Sequence, residues 1–160
     1  MRIAGIVRDS VVDGVGIRDV VFLQGCTHRC KGCHNQQTWD LNGGVHRFAG
    51  EVLGELSNST NDITVSGGEP MLQYDALLSF LVVVKQYTKK RVWLYTGNTV
   101  DPTKKIYKTL AEYVDVIVDG KFVEELKDPT LRFRGSSNQR IIDLPKSVEE
   151  GRIVLWEDNR

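Results

Sequence analysis

Val20-Val21-Phe22-Leu23-Gln24-Gly25-Cys26-Thr27-His28-Arg29-Cys30-Lys31-Gly32-Cys33 runs from an apolar stretch through a glycine into a loop holding three cysteines. The apolar part, Val20 to Gln24, has the length of a short buried strand and ends at the Gly25-Cys26 turn. The same succession recurs downstream. Asp62 to Ser66 reads as a strand that stops at Gly67-Gly68, Arg91 to Tyr95 as one that stops at Thr96-Gly97-Asn98, and Val114 to Val118 as one that stops at Asp119-Gly120. Helical spacing fills the intervals. Phe48, Val52, Leu53 and Leu56 mark one helix, and Tyr74 to Tyr87 a second, whose Leu81-Val82-Val83-Val84 run predicts deep packing on all sides. A third starts near Pro102, tolerated in a first turn, and runs to about Tyr113.

Strand, loop and helix in repetition predict an α/β fold built on a mostly parallel sheet. The units are too few for a closed eight-stranded barrel, which takes about 250 residues, so an open, partial (β/α) barrel is expected. One domain over residues 1–160 suits the length. Ile3 to Val7, Arg140 to Asp143 and Ile153 to Trp156 add short strands, and Arg134-Gly135-Ser136-Ser137-Asn138 reads as a loop. In parallel sheets ligand chemistry gathers at the C-terminal strand ends. There the cysteine loop, Gly67-Gly68-Glu69, Thr96-Gly97 and Asp119-Gly120-Lys121 would share one rim.

Lys plus Arg and Asp plus Glu number 21 each, so the formal net charge is zero and gives no electrostatic reason to expect nucleic acid or anionic membrane as a partner. No apolar run is long enough to span a bilayer, and the first residues lack the apolar core and cleavage site of a secretory signal. All three cysteines lie between Cys26 and Cys33, too close for a disulfide framework, which makes a reducing cytoplasm the expected compartment.

The spacing C-x3-C-x2-C suits an iron–sulfur cluster held by thiolates on a close-set loop. Three thiolates on a 4Fe–4S cluster leave one iron without a protein ligand, an opening that a catalyst can use. A structural zinc site would add His28 or His34 as fourth ligand, but zinc sites pair hooks from separate places in a chain and this is a single hook. Three packed, unligated thiols suit such a polar loop poorly.

With Gly67-Gly68-Glu69-Pro70 placed after a strand, the triplet resembles the radical S-adenosylmethionine superfamily. That resemblance implies an open barrel of the same type and a 4Fe–4S cluster on Cys26, Cys30 and Cys33, whose free iron is chelated by the methionine end of S-adenosylmethionine. It also implies that Gly67, Gly68 and Glu69 bind that methionine end. Many members carry an aromatic residue before the third cysteine; Gly32 stands there, so the backbone of Gly32, Cys33 and His34 is expected to meet the adenosyl group. Thr96, Asp119 and Lys121 match polar positions that contact the cosubstrate or a cation in related proteins, with solvation or capping as the alternative.

Asp13-Gly14-Val15-Gly16-Ile17-Arg18, Gly25 to Trp39, Leu94 to Asn98, Val118 to Phe122 and Lys127 to Gln139 are similar to the activating proteins of anaerobic ribonucleotide reductases. The likeness spans about Val12 to Gln139. It implies that an electron, supplied by a flavodoxin-like donor, cleaves S-adenosylmethionine to methionine and a 5′-deoxyadenosyl radical. That radical then generates a glycyl radical on the large reductase subunit. An activase of another glycyl-radical enzyme, a small radical synthase acting on a small molecule, and a non-catalytic metal-binding module remain the alternatives.

Overall fold

The computed structural model describes residues 1–158, so the last two residues of the expected domain lie outside the described residues. Seven strands form one open sheet in the order β3-β1-β2-β4-β5-β6-β7. Its middle, β2 (Arg18–Leu23), β4 (Asp62–Gly67), β5 (Val92–Tyr95) and β6 (Val116–Asp119), is parallel. Both margins are antiparallel: β1 (Arg2–Ser10) runs against β2 and β3 (Val45–His46), and β7 (Arg140–Asp143) runs against β6.

Alternation along the strands sorts the two faces. Val21, Leu23, Ile63, Val65, Leu94, Ile117 and Ile142 point into one core, shared with α1 (Ala49–Leu56), α2 (Tyr74–Tyr87), α3 (Lys105–Leu110) and α4 (Leu144–Glu150). The interleaved residues Trp93, Val116 and Val118 pack on the other face with Val15, Phe133 and Trp156. Also on that face, the fully buried Arg18 guanidinium donates to Thr64 Oγ1 (2.7 Å) and to the carbonyls of Val15 (3.1 Å) and Ile63 (2.6 Å), with its charge over the Trp93 ring. Burial pushes its pKa down to about 10, against the opposing pull of Asp62, so it is still a cation at neutral pH. The Asp13–Arg18 segment thereby fastens the β1–β2 connection to the sheet.

Several expectations change. α3 is shorter than the span Pro102 to Tyr113, because Asp101 Oδ1 accepts from the Thr103 amide (3.0 Å) and hydroxyl (2.6 Å), a local turn that competes with helix. The stretch Ile153 to Trp156 makes no regular strand, yet it pairs with β7 through Asp143 N to Val154 O (3.0 Å) and Trp156 N to Ile141 O (2.9 Å). Val82 is exposed, so α2 is not buried all round. β3 and α4 are additions; α4 is capped by Asp143, which accepts from Lys146 N (3.0 Å), and closed by Gly151 in the left-handed region.

Candidate functional site

The four central strands deliver their following loops to one rim. A pocket there is lined by Cys26, Cys30 and Cys33 from the loop after β2, Gly67 at the end of β4 and Gly68 just after it, Thr96 and Gly97 after β5, and Gly120 and Lys121 after β6. The base of the cysteine loop is fixed by backbone bonds: Gly25 N donates to Thr38 O (2.6 Å) and Cys26 N to Trp39 O (3.2 Å). Buried Gln24 donates to Asp40 O (2.8 Å). Within the loop Cys33 N donates to Cys30 O (3.1 Å), a turn completed by Gly32 at φ +73°.

Gly67 and Gly68 stitch β4 to β2 at the pocket floor. Gly68 N donates to Leu23 O and Glu69 N to Gly25 O, both at 2.8 Å. A Cβ on Gly67 would lie 2.4 Å from Leu23 O, and one on Gly68 would lie 2.2 Å from Gly25 O. Only glycine allows such an approach of backbone to backbone.

Glu69 is nearly fully buried and its carboxylate is saturated. Oε1 accepts from Met71 N (3.0 Å) and Thr96 Oγ1 (2.7 Å); Oε2 accepts from Gly97 N (2.7 Å) and His28 Nε2 (2.9 Å). A carboxylate offers about four acceptor sites, so no acceptor direction is left open to a further donor in this arrangement.

The remaining expected site residues divide. Thr96 and Lys121 line the pocket, the first buried and the second exposed. Asp119 is buried but absent from the lining: Arg140 clasps it with Nε to Oδ1 (3.0 Å) and Nη2 to Oδ2 (2.5 Å), and Val100 N donates to Oδ2 (2.8 Å). That clasp also raises the Arg140 pKa, through the hydrogen bonds to Asp119. His34 is exposed beside Phe122, with ring centroids 5.7 Å apart, and Gly32 faces the Glu124 side chain; neither lines the pocket. Asn35, Trp39, Ser66, Tyr95, Phe122 and Gln139 line it without having been singled out for this site from the sequence. Gln139 is held in place by the Gly135 and Ser136 amides and donates to Gly120 O (3.0 Å). Only a loop running back from residue 139 to the end of β6 could have revealed it.

The donor set suits an iron–sulfur cluster. All three thiols are free and line one pocket. The Cys30 thiol is pushed up by burial and next by Cys33, with Cys26 adding to the effect. Mutual repulsion between neighbouring thiolates eases when a cationic centre lies among them. Among the described residues no three His, Cys, Asp or Glu side chains form a group able to hold a single metal ion. A larger cleft of about 450 Å³ lies at the opposite ends of the strands, by Trp93, Trp156 and Asp115, and holds no thiol or glycine-rich loop.

Residues 12–142 match the family described as a 4Fe-4S single cluster domain, so the fold and the pocket belong to a protein carrying such a domain. The chain is 39% identical over 142 residues to the anaerobic ribonucleoside-triphosphate reductase-activating protein of Haemophilus influenzae, covering 82% of this chain and 91% of that one. It is 41% identical over 144 residues to the protein of the same name from Vibrio cholerae (82% and 91% covered), and 37% over 137 residues to that of Enterobacteria phage T4 (81% and 86%). This chain belongs to the family of anaerobic ribonucleoside-triphosphate reductase-activating proteins. Among the described residues no helix is long and apolar enough to cross a membrane.

Proposed function

We propose that this chain, a single radical S-adenosylmethionine domain over residues 1–160 with its sheet forming a partial barrel, is the activase of an anaerobic ribonucleotide reductase. Cys26, Cys30 and Cys33 hold a 4Fe–4S cluster, leaving one iron for S-adenosylmethionine. When bound, the cluster supplies the electron that splits the cosubstrate into methionine and a 5′-deoxyadenosyl radical, which takes a hydrogen atom from a glycine of the large reductase subunit. A flavodoxin-like protein is the electron donor, and the reducing cytoplasm suits the three free thiols.

The chain's own residues bind and orient. Gly67 and Gly68 bring backbone to the pocket floor, where carbonyl oxygens can accept from the methionine ammonium. Glu69, saturated by its four donors, keeps that floor in place (and takes the ammonium only by giving up one of them). Cys33 borders the adenosyl side together with the Phe122 ring of the lining, and Gly32 and His34, which flank Cys33 outside the lining, offer their backbone there. Thr96 and Lys121 are the polar contacts of the rim, and Asp119 acts through Arg140 by fixing the end of β6.

The observation that carries this reading is the meeting of three free thiols and a Gly-Gly floor in one pocket at parallel strand ends. Anaerobic reconstitution with iron and sulfide tests it. The expected results are four irons per chain, an electron paramagnetic resonance signal that changes on adding S-adenosylmethionine, and a glycyl doublet on the reductase large subunit. Colourless protein holding one zinc ion would overturn it. A doublet on a formate-lyase-type partner but not on the reductase would move the chain to another glycyl-radical system.

A further inference from the structure

His28 stands midway between Cys26 and Cys30, yet its ring leaves the cysteine loop and enters the rim of β4 and β5. Its Nε2 lies 2.9 Å from Glu69 Oε2, with the two side chains 15% and 2% exposed. An ionised carboxylate only accepts, so the imidazole is the donor. The ring rests on Gly97, where a Cβ would come within 2.5 Å of His28 Cδ2 and 2.7 Å of Nε2. Gly97 also donates its amide to the same Glu69 oxygen at 2.7 Å. Imidazole and amide thus converge on one buried atom from two loops.

We propose that His28 is a positioning residue that pins the cysteine loop to the ends of β4 and β5 and so sets the distance between the thiols and the Gly67–Glu69 floor. Three of the four donors to Glu69, namely Met71, Thr96 and Gly97, come from the β4 and β5 loops; His28 alone comes from the cysteine loop. Among the described residues it is the only side chain from Cys26 to Cys33 hydrogen-bonded to either of those loops. The Lys31–Glu124 pair (2.9 Å) is exposed and leads to the loop after β6. Without the His28 bond, the Cys26–Cys33 turn would keep its backbone bonds at Gly25 and Cys26 and the exposed Lys31–Glu124 pair, none of which reaches the β5 loop, and its distance from the Gly67–Glu69 floor would be less tightly set. Gly97 is the second part of the device, because any side chain there occupies the space of the ring.

The consequence for cosubstrate binding rests on the function proposed above, whereas the fastening itself does not. Two measurements therefore separate them. In cluster-free protein, His28→Ala is expected to keep the circular dichroism spectrum and to lower the melting midpoint by only a few degrees, while hydrogen exchange quickens at the Gly97 amide and across residues 26–33. In reconstituted protein it should still load iron, and its affinity for S-adenosylmethionine should fall about tenfold, the order of one lost charge-assisted hydrogen bond. His28→Gln, which keeps an N–H donor, should recover most of that affinity, and Gly97→Ala should reproduce the alanine effect without adding to it in the double variant. Unchanged exchange and affinity in His28→Ala would overturn the proposal. So would loss of iron binding, which would make His28 a ligand, or failure of His28→Gln to do better than alanine. Wild-type protein that binds no S-adenosylmethionine would overturn the function proposed above, and the exchange experiment would still decide the role of His28.

Discussion

Gly68→Ala tests the pocket floor at its tightest point. The new Cβ would lie 2.2 Å from Gly25 O and 2.7 Å from Gly25 C, both backbone atoms, so no side-chain rotation relieves the clash. Unstrained contacts of this kind need about 3.5 Å, which means β2 and β4 must part by roughly an ångström. Overpacking of that kind costs about 1–3 kcal/mol. The separation also breaks the bonds Gly68 N to Leu23 O and Glu69 N to Gly25 O, both 2.8 Å, at about 1 kcal/mol each. A destabilisation of about 3–5 kcal/mol is expected, a large share of a stability of about 5–15 kcal/mol. Urea unfolding of the cluster-free protein measures it, with Gly54→Ala as the control. Gly54 sits in α1 with nothing within 4 Å of its added Cβ, and there alanine should stabilise by about 0.5–1 kcal/mol. If Gly68→Ala unfolds within about 1 kcal/mol of wild type, the close approach of β2 and β4 is not the constraint described.

Three further outcomes follow from the same structure. Cys30→Ala should fold normally, lose the cluster and form no 5′-deoxyadenosine, as read by iron analysis and chromatography; retained cosubstrate cleavage would contradict the ligand assignment. Arg140→Ala leaves the buried Asp119 carboxylate with Val100 N as its remaining donor. Because Arg140 is itself a third exposed, a loss of about 2 kcal/mol is expected in denaturant melts, smaller in the Asp119→Asn, Arg140→Met pair. Arg18→Lys replaces a forked donor set by a single ammonium that cannot reach Thr64, Val15 and Ile63 together. A cost of about 2–3 kcal/mol should lower the calorimetric midpoint by several degrees.

The strand-loop-helix rhythm was legible because it depends on neighbours in the chain. Apolar runs of strand length ending in glycine placed β2, β4, β5 and β6, helical spacing gave α2 its observed limits Tyr74–Tyr87, and three crowded thiols marked the pocket. α4 escaped because its cap, Asp143, is also the last residue of β7, so no loop announces the helix. β3 is two residues long and exists only because β1 lies beside it.

Composition and local pattern were thus enough for the α/β class, the parallel centre and the gathering of Cys26, Cys30 and Cys33 at one strand end, since periodicity and residue spacing are properties of consecutive residues. Which donor meets which acceptor was left to the folded chain. Asp119 looked free for a ligand until Arg140, 21 residues on, clasped it, and His28, read from the sequence only as a possible zinc ligand, turns instead to Glu69, 41 residues away. Those partnerships hang on strand order and on how closely the Gly67, Gly68 and Gly97 backbones let adjacent loops approach, and both are set only when the sheet closes its ranks in three dimensions.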